Sequence, residues 1–119
     1  MDIRVAFGGG MELLFGSQRS RTVRLPTHYD AASLAQGDLG AALSSSTASR
    51  ATDIRLLIAY LLERELQDKQ RPDLFVQGQT VRPGILVLVN DCDWELEGEL
   101  DYNIKPNDEI VFISTLHGG

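Results

Sequence analysis

The chain is 119 residues long with a formal net charge of −6, enough for one domain with a real hydrophobic core and too short for a two-lobed enzyme. Its 11 Lys and Arg stand against 17 Asp and Glu, and Lys69 and Lys105 are the only lysines, which excludes the basic stripe that direct nucleic-acid binding requires. The single cysteine, Cys92, excludes an internal disulfide, the start Met1-Asp2-Ile3-Arg4 lacks a signal-peptide pattern, and no segment approaches bilayer-crossing length, so a reducing intracellular setting with no membrane partner is expected.

Ile3, Val5 and Phe7 alternate with Arg4 and Ala6, the period of a half-buried strand. Gly8-Gly9-Gly10 ends it. This run is not a phosphate loop, because no Lys-Ser/Thr pair follows and Leu13 stands where the last glycine of G-x-G-x-x-G belongs; it reads as a plain turn. Residues 11–15 form a compact apolar segment, and residues 22–25 a second strand ending at Pro26. Arg19, Arg21 and Arg24 read as solvated strand residues.

Residues 29–50 are dominated by Ala, Ser, Gly and Thr, with Ser44-Ser45-Ser46-Thr47 at the centre. Little there offsets the entropy of ordering, so residues 30–50 are expected to be a flexible inserted loop with at most a marginal helical turn in 31–43. Thr52 is placed to cap a helix with Asp53 in its first turn. Ile54, Leu57, Ile58, Leu61 and Leu62 make one apolar stripe at helical spacing, with Leu56 and Tyr60 off it as scattered surface groups. Glu65 and Lys69 are spaced to pair, and Arg71-Pro72 ends the helix.

Residues 74–76 are a short strand. Arg82-Pro83-Gly84-Ile85 has the proline and glycine of a type II turn, and it launches Ile85–Val89, five aliphatic residues that read as a central strand. Asp91, Asp93, Glu95, Glu97, Glu99 and Asp101 then fall on alternate positions. On an extended backbone they would share one side. Ligands spaced along a line do not converge on one ion without the tight loop of a calcium motif, so they read as a solvated acidic face, and beside the chain's end they would steer a basic cleft. Residues 105–108 turn, and 109–113 are the last strand. One helix packed on one mixed sheet, an α+β fold, is the economical solution. Residues 85–89 and 110–113 are apolar on both faces, more than one helix covers, so part of the open face is expected to dock a partner.

The last strand feeds into Ser114-Thr115-Leu116-His117-Gly118-Gly119. Two terminal glycines let the tail pass a slot too narrow for a Cβ. Five residues beyond Ser114 extend at most about 17 Å. The only reactive group at the tip is the Gly119 carboxyl, an anion at neutral pH that needs activation before it accepts a nucleophile. Nothing else in the chain supplies that activation. A merely frayed terminus is the plain alternative.

These residues, with Val81 through Asp91, Asp93-Trp94-Glu95 and Gly98-Glu99-Leu100-Asp101-Tyr102, resemble the ubiquitin-related modifier family over nearly the whole chain except residues 29–50. The resemblance implies a β-grasp (ubiquitin-like) fold related to ubiquitin and to bacterial sulfur carriers, with residues 1–119 as a single domain and 114–119 as its exposed tail. It implies a carrier that is not itself an enzyme: Gly119 is adenylated by an E1-like activating enzyme with a sulfurtransferase domain, which uses ATP and a sulfur donor, and becomes a thiocarboxylate. Sulfur then goes to the wobble uridine of cytosolic tRNAs through a thiolase complex. Conjugation to lysines of target proteins, peroxiredoxins among them, under oxidative stress is implied as well. No cofactor or metal is expected on the chain. Gly118 supplies clearance, Leu116 an anchor at the slot's mouth, and His117 and Thr115 are tail contacts. Cys92 is a passive loop residue, since no neighbouring base favours its thiolate. Two other readings stand beside this one: the small subunit of a molybdopterin-synthase-like enzyme, and a ubiquitin-like module that binds through its sheet and never uses its terminus.

Overall fold

The computed structural model describes residues 1–115. In chain order the elements are β1 (Asp2–Gly8), β2 (Ser20–Arg24), β3 (His28–Tyr29), α1 (Ala31–Ala35), α2 (Leu39–Ser44), β4 (Arg50–Ala51), α3 (Ile54–Tyr60), β5 (Val76–Gln77), β6 (Thr80–Val81), β7 (Ile85–Val89), β8 (Cys92–Asp93) and β9 (Glu109–Ser114). Five strands form the main sheet in the order β2-β1-β9-β7-β8. The first and last strands lie side by side and parallel at its centre, with Val5 opposite Ile110 and Phe7 opposite Phe112. β2 and β7 flank them antiparallel. This is the mixed sheet on one main helix that the sequence predicts, in the arrangement of a β-grasp.

Period-2 burial builds one side of the core. Ile3, Val5 and Phe7 of β1, Val87 and Val89 of β7, and Ile110 and Phe112 of β9 face the helix, and Ile54, Leu57, Ile58 and Leu61 meet them. Four phenylalanines close one end: Phe7 stacks on Phe15 at 4.2 Å between centroids, and Phe75 sets its edge against Phe15 at 5.2 Å and Phe112 at 5.5 Å, the offset and edge geometries that aromatic quadrupoles favour.

Several local expectations are corrected. The cap of α3 is Asp53, whose carboxylate accepts from the Leu56 N–H at 3.1 Å; Thr52 is buried and donates its hydroxyl to the Pro26 carbonyl at 2.6 Å instead. Leu56 is not a surface group: it is fully buried with Tyr29, Leu39 and Ala42 in a second cluster. That cluster exists because residues 30–50 are not an unstructured loop. They fold into α1 and α2, capped by Asp30 and Asp38, whose carboxylates accept from the N–H groups of Ala32 and Ala41 at 3.1 and 3.0 Å.

The main helix also stops early. Past Tyr60 it widens into a π-helical turn, Leu61–Glu65, and ends where the Leu66 N–H reaches Leu61 O at 2.9 Å; Pro72 begins a separate 3-10 helix, Pro72–Leu74, so residues 74–76 are not one strand. Lys69 turns back to the carbonyls of Leu62 and Glu63, the favourable place for a cation. Glu65 therefore pairs with Arg21, at 2.9 Å, not with Lys69. Arg21 in turn is no solvated residue: its side chain is 13% exposed, lies over the Phe7 ring at 5.6 Å and donates to the Phe15 carbonyl.

The acidic run is not a strand face either. After the two residues of β8 come the 3-10 helices Trp94–Leu96 and Glu99–Asp101, so Trp94 is buried while Leu96 is 82% exposed.

Candidate functional site

β9 is paired with β1 as far as Ile113 and is held on the β7 side through Thr115, the last described residue. Arg82-Pro83-Gly84-Ile85 makes the predicted type II turn, with Ile85 N–H on Arg82 O at 3.1 Å and Gly84 at φ +97°, the conformation that turn demands of its third residue. The Gly84 carbonyl accepts both the Thr115 N–H, at 2.9 Å, and the Thr115 hydroxyl. Thr115 itself is exposed. On the other flank Gly8 lies opposite Ile113, which brings Gly9 against Ser114. A Cβ on Gly9 would stand 2.1 Å from the Ser114 carbonyl oxygen, and Gly9 has φ +64°; only glycine meets both conditions.

The triple glycine is therefore more than a turn. Its middle residue gives the exit strand room to pass, and Gly84 ties down the next residue. Of the predicted tail residues, Thr115 sits at this exit; Leu116, His117, Gly118 and Gly119 lie outside the described residues. Gly9 and Gly84 belong to the site as well. The only sequence signal for Gly9 is that it is a glycine, a residue free to take positive φ.

The open side of the sheet carries a half-buried apolar row. Ala6, Val111 and Leu88 line up across three strands, and Gly8, Ile113 and Leu86 form the next rank toward the exit. Leu13, 70% exposed, follows the glycine turn on the 3-10 helix Met11–Phe15. This face adjoins the exit at Thr115. The acidic residues do not: β8 pairs with Leu88 and Val89, whereas Ser114 lies opposite Ile85 at the other end of β7, about 13 Å away at strand rise.

The start of β9 is pinned by Asp108, which is buried and accepts from Asn90 Nδ2 at 2.9 Å, the Tyr102 hydroxyl at 2.5 Å and the Lys105 N–H at 2.8 Å. Burial alone would raise its pKa; these donors outweigh it and hold the carboxyl below its ordinary value. Burial first, and then the bond to Asp108, push the Tyr102 phenol up. Both ends of the exit strand are thus fixed.

Among the described residues no three His, Cys, Asp or Glu side chains are grouped to hold a metal ion. No helix among them is long and apolar enough to cross a membrane. Cys92 is exposed where β8 begins.

The Urm1 family model, described as Ubiquitin related modifier, matches residues 2–119. The chain is 48% identical over 122 residues to the ubiquitin-related modifier 1 of Laccaria bicolor, spanning 100% of this chain and 94% of that protein. It is 44% identical over 119 residues to the ubiquitin-related modifier 1 of Homo sapiens, spanning 100% and 96%. The solution structure of Urm1 from Trypanosoma brucei superposes with a TM-score of 0.70 at 40% identity, covering 99% of this chain and 95% of that one.

Proposed function

The chain belongs to the ubiquitin-related modifier family of ubiquitin-like modifiers and sulfur carriers, and from that premise we propose that its working atom is the terminal carbonyl carbon of Gly119. An E1-like activating enzyme moves AMP from ATP onto the Gly119 carboxylate, releasing pyrophosphate. The outer sulfur of a persulfide on the enzyme's sulfurtransferase domain then displaces AMP to give an acyl disulfide, and an enzyme thiolate cleaves its S–S bond, leaving the thiocarboxylate on Gly119 and a disulfide on the enzyme. A cytosolic thiolase complex passes that sulfur to the wobble uridine of tRNA. The same activated carbonyl, met by a lysine amine, joins the chain to target proteins, peroxiredoxins among them, under oxidative stress. The chain binds no cofactor of its own and acts in the cytoplasm as a substrate of the activating enzyme.

One observation carries this reading. β9 is paired with β1 as far as Ile113, passes Gly9 with room only for glycine, and is held at Thr115 by the Gly84 carbonyl, so the last described strand is fixed up to the start of the tail sequence. Four residues past Thr115 reach at most about 14 Å, enough to enter a partner's cleft while the fold stays outside. Gly118 leaves that entry unobstructed, Leu116 anchors it, and Thr115 and His117 touch its mouth. The −6 charge keeps tRNA at arm's length, so a second protein must bring it.

Intact mass after incubation with the cognate activating enzyme, ATP and a sulfur donor tests this. Replacement of one oxygen by sulfur is expected. An unchanged mass, where a control carrier is converted, would overturn the reading. Appending one residue after Gly119 is expected to abolish conversion with the fold intact, because the reacting carbon is displaced. A module that works through its sheet alone would keep its function without Gly118 and Gly119.

A further inference from the structure

A groove of about 590 Å³ runs between α1, α3 and the β5–β6 hairpin, inside the range of roughly 300–1,000 Å³ typical of ligand sites. The tail chemistry does not use it. Its walls are apolar and low, with Ala31 and Ala35 of α1 facing Ile58 and Ala59 of α3, and Arg50 and Arg55 also line it. The charges of those two arginines are unevenly met. The buried Asp53 accepts from Arg50 Nε at 3.1 Å and Arg55 Nη1 at 3.2 Å, one anion for two cations. The second anion is Asp101, whose Oδ1 accepts from Arg50 Nη2 at 3.2 Å and Arg55 Nη2 at 2.9 Å. Its side chain is 68% exposed, and an exposed carboxylate is weakly held and readily exchanged. Two guanidinium groups thus converge on one carboxylate oxygen beside an apolar slot.

We propose that this groove binds an apolar peptide ending in a carboxylate, and that the occupant is residues 116–119 of a second copy of the chain, with its Gly119 carboxylate replacing Asp101 between Arg50 and Arg55. The chemistry matches at each step. Walls of alanine suit a segment whose last two residues lack side chains, Leu116 supplies one apolar group for the Ile58 side, and the terminal anion meets the cationic pair. The proposal goes beyond the carrier reading and does not depend on it. In a concentrated solution such pairing would shield the tail.

The test titrates a synthetic Ser-Thr-Leu-His-Gly-Gly peptide into isotope-labelled full-length chain, followed by amide NMR shifts, with the C-terminally amidated peptide alongside. Shifts centred on Ala31, Ala35 and Ala59 are expected, with binding weaker by about tenfold or more for the amide, which cannot form the charge-assisted bonds. Asp101→Asn removes the competing carboxylate and is expected to tighten binding severalfold. Ala35→Phe, at an exposed position that leaves the core alone, fills the slot and is expected to abolish both peptide binding and a concentration-dependent dimer in sedimentation equilibrium. Equal binding of the amidated peptide, shifts on Leu86 and Leu88 instead, weaker binding by Asp101→Asn, or no shifts at millimolar peptide would each overturn the proposal. So would a full-length chain that stays monomeric at every concentration.

Discussion

Replacing Gly9 by alanine tests whether the exit of β9 depends on a missing methyl group. The left-handed backbone at φ +64° costs an L-residue roughly 1–2 kcal/mol. The new Cβ would then stand 2.1 Å from the Ser114 oxygen, against ordinary C···O contacts near 3.3 Å, so the end of β9 must move by about 1 Å. That loosens the last ladder bond beside Ile113 or the bond from Thr115 to Gly84, about 1 kcal/mol each. The total is about 2–4 kcal/mol. Gly10 is the internal control: at φ +99° with nothing within 4 Å of its Cβ position, Gly10→Ala carries the backbone cost alone, about 1–2 kcal/mol. Urea unfolding followed by the fluorescence of Trp94, the only tryptophan and a buried one, reads the difference, which at this chain length is also a gap of about 3–10 °C in Tm. If Gly9→Ala is no less stable than Gly10→Ala, the close approach to Ser114 is not a constraint.

Three further perturbations address the rest of the fold. Leu56→Ala is expected to cost about 2–5 kcal/mol in chemical denaturation, as a fully buried leucine does; a loss within about 0.5 kcal/mol would return Leu56 to the surface. Asp108 has a folded pKa below its unfolded one, so its stabilisation is complete above the unfolded value, near 3.9, and disappears as pH falls through the lower folded value. The Tm advantage of the native chain over Asp108→Asn should accordingly shrink below about pH 4, and a gap constant from pH 2 to 7 would refute it. Deleting residues 32–49 strips Leu39 and Ala42 from Leu56 and Tyr29; a lower Tm with conversion of Gly119 retained is expected, and an unchanged Tm would show that the segment contributes no packing.

Where burial follows directly from sequence period, the fold was legible. Ile3, Val5 and Phe7 alternate and are buried by alternation; Ile54, Leu57, Ile58 and Leu61 repeat at helical spacing and face the sheet. Residues 30–50 hid because neither α1 nor α2 is long enough to be stable alone, so no apolar stripe advertises them. Their stability is borrowed from Leu56, which sits off the main stripe for the same reason. The one local signal is an aspartate before each helix, Asp30 and Asp38, inside a segment whose composition is otherwise that of a loop. The acidic run fails differently: its alternation is real, but the 3-10 helix Trp94–Leu96, and after it Gly98 at φ +104° and Glu99 at φ +54°, break the extended backbone on which alternation would sort into faces.

The exit itself lies between these cases. Gly84 was readable, since Pro-Gly at the centre of a turn requires positive φ from local rules alone. Gly9 was not, because its requirement comes from a strand more than 100 positions away. Parallel pairing places Arg4 opposite Glu109 and Gly8 opposite Ile113; carried one step further, that register brings position 9 against the Ser114 carbonyl. A one-residue slip would put Gly8 or Gly10 there instead, and would also turn every inward side chain of β9 outward. The hydrophobic pattern of Ile110 and Phe112 therefore selects which glycine of the triplet must lack a side chain. The core that stabilises the body also sets where β9 exits the sheet.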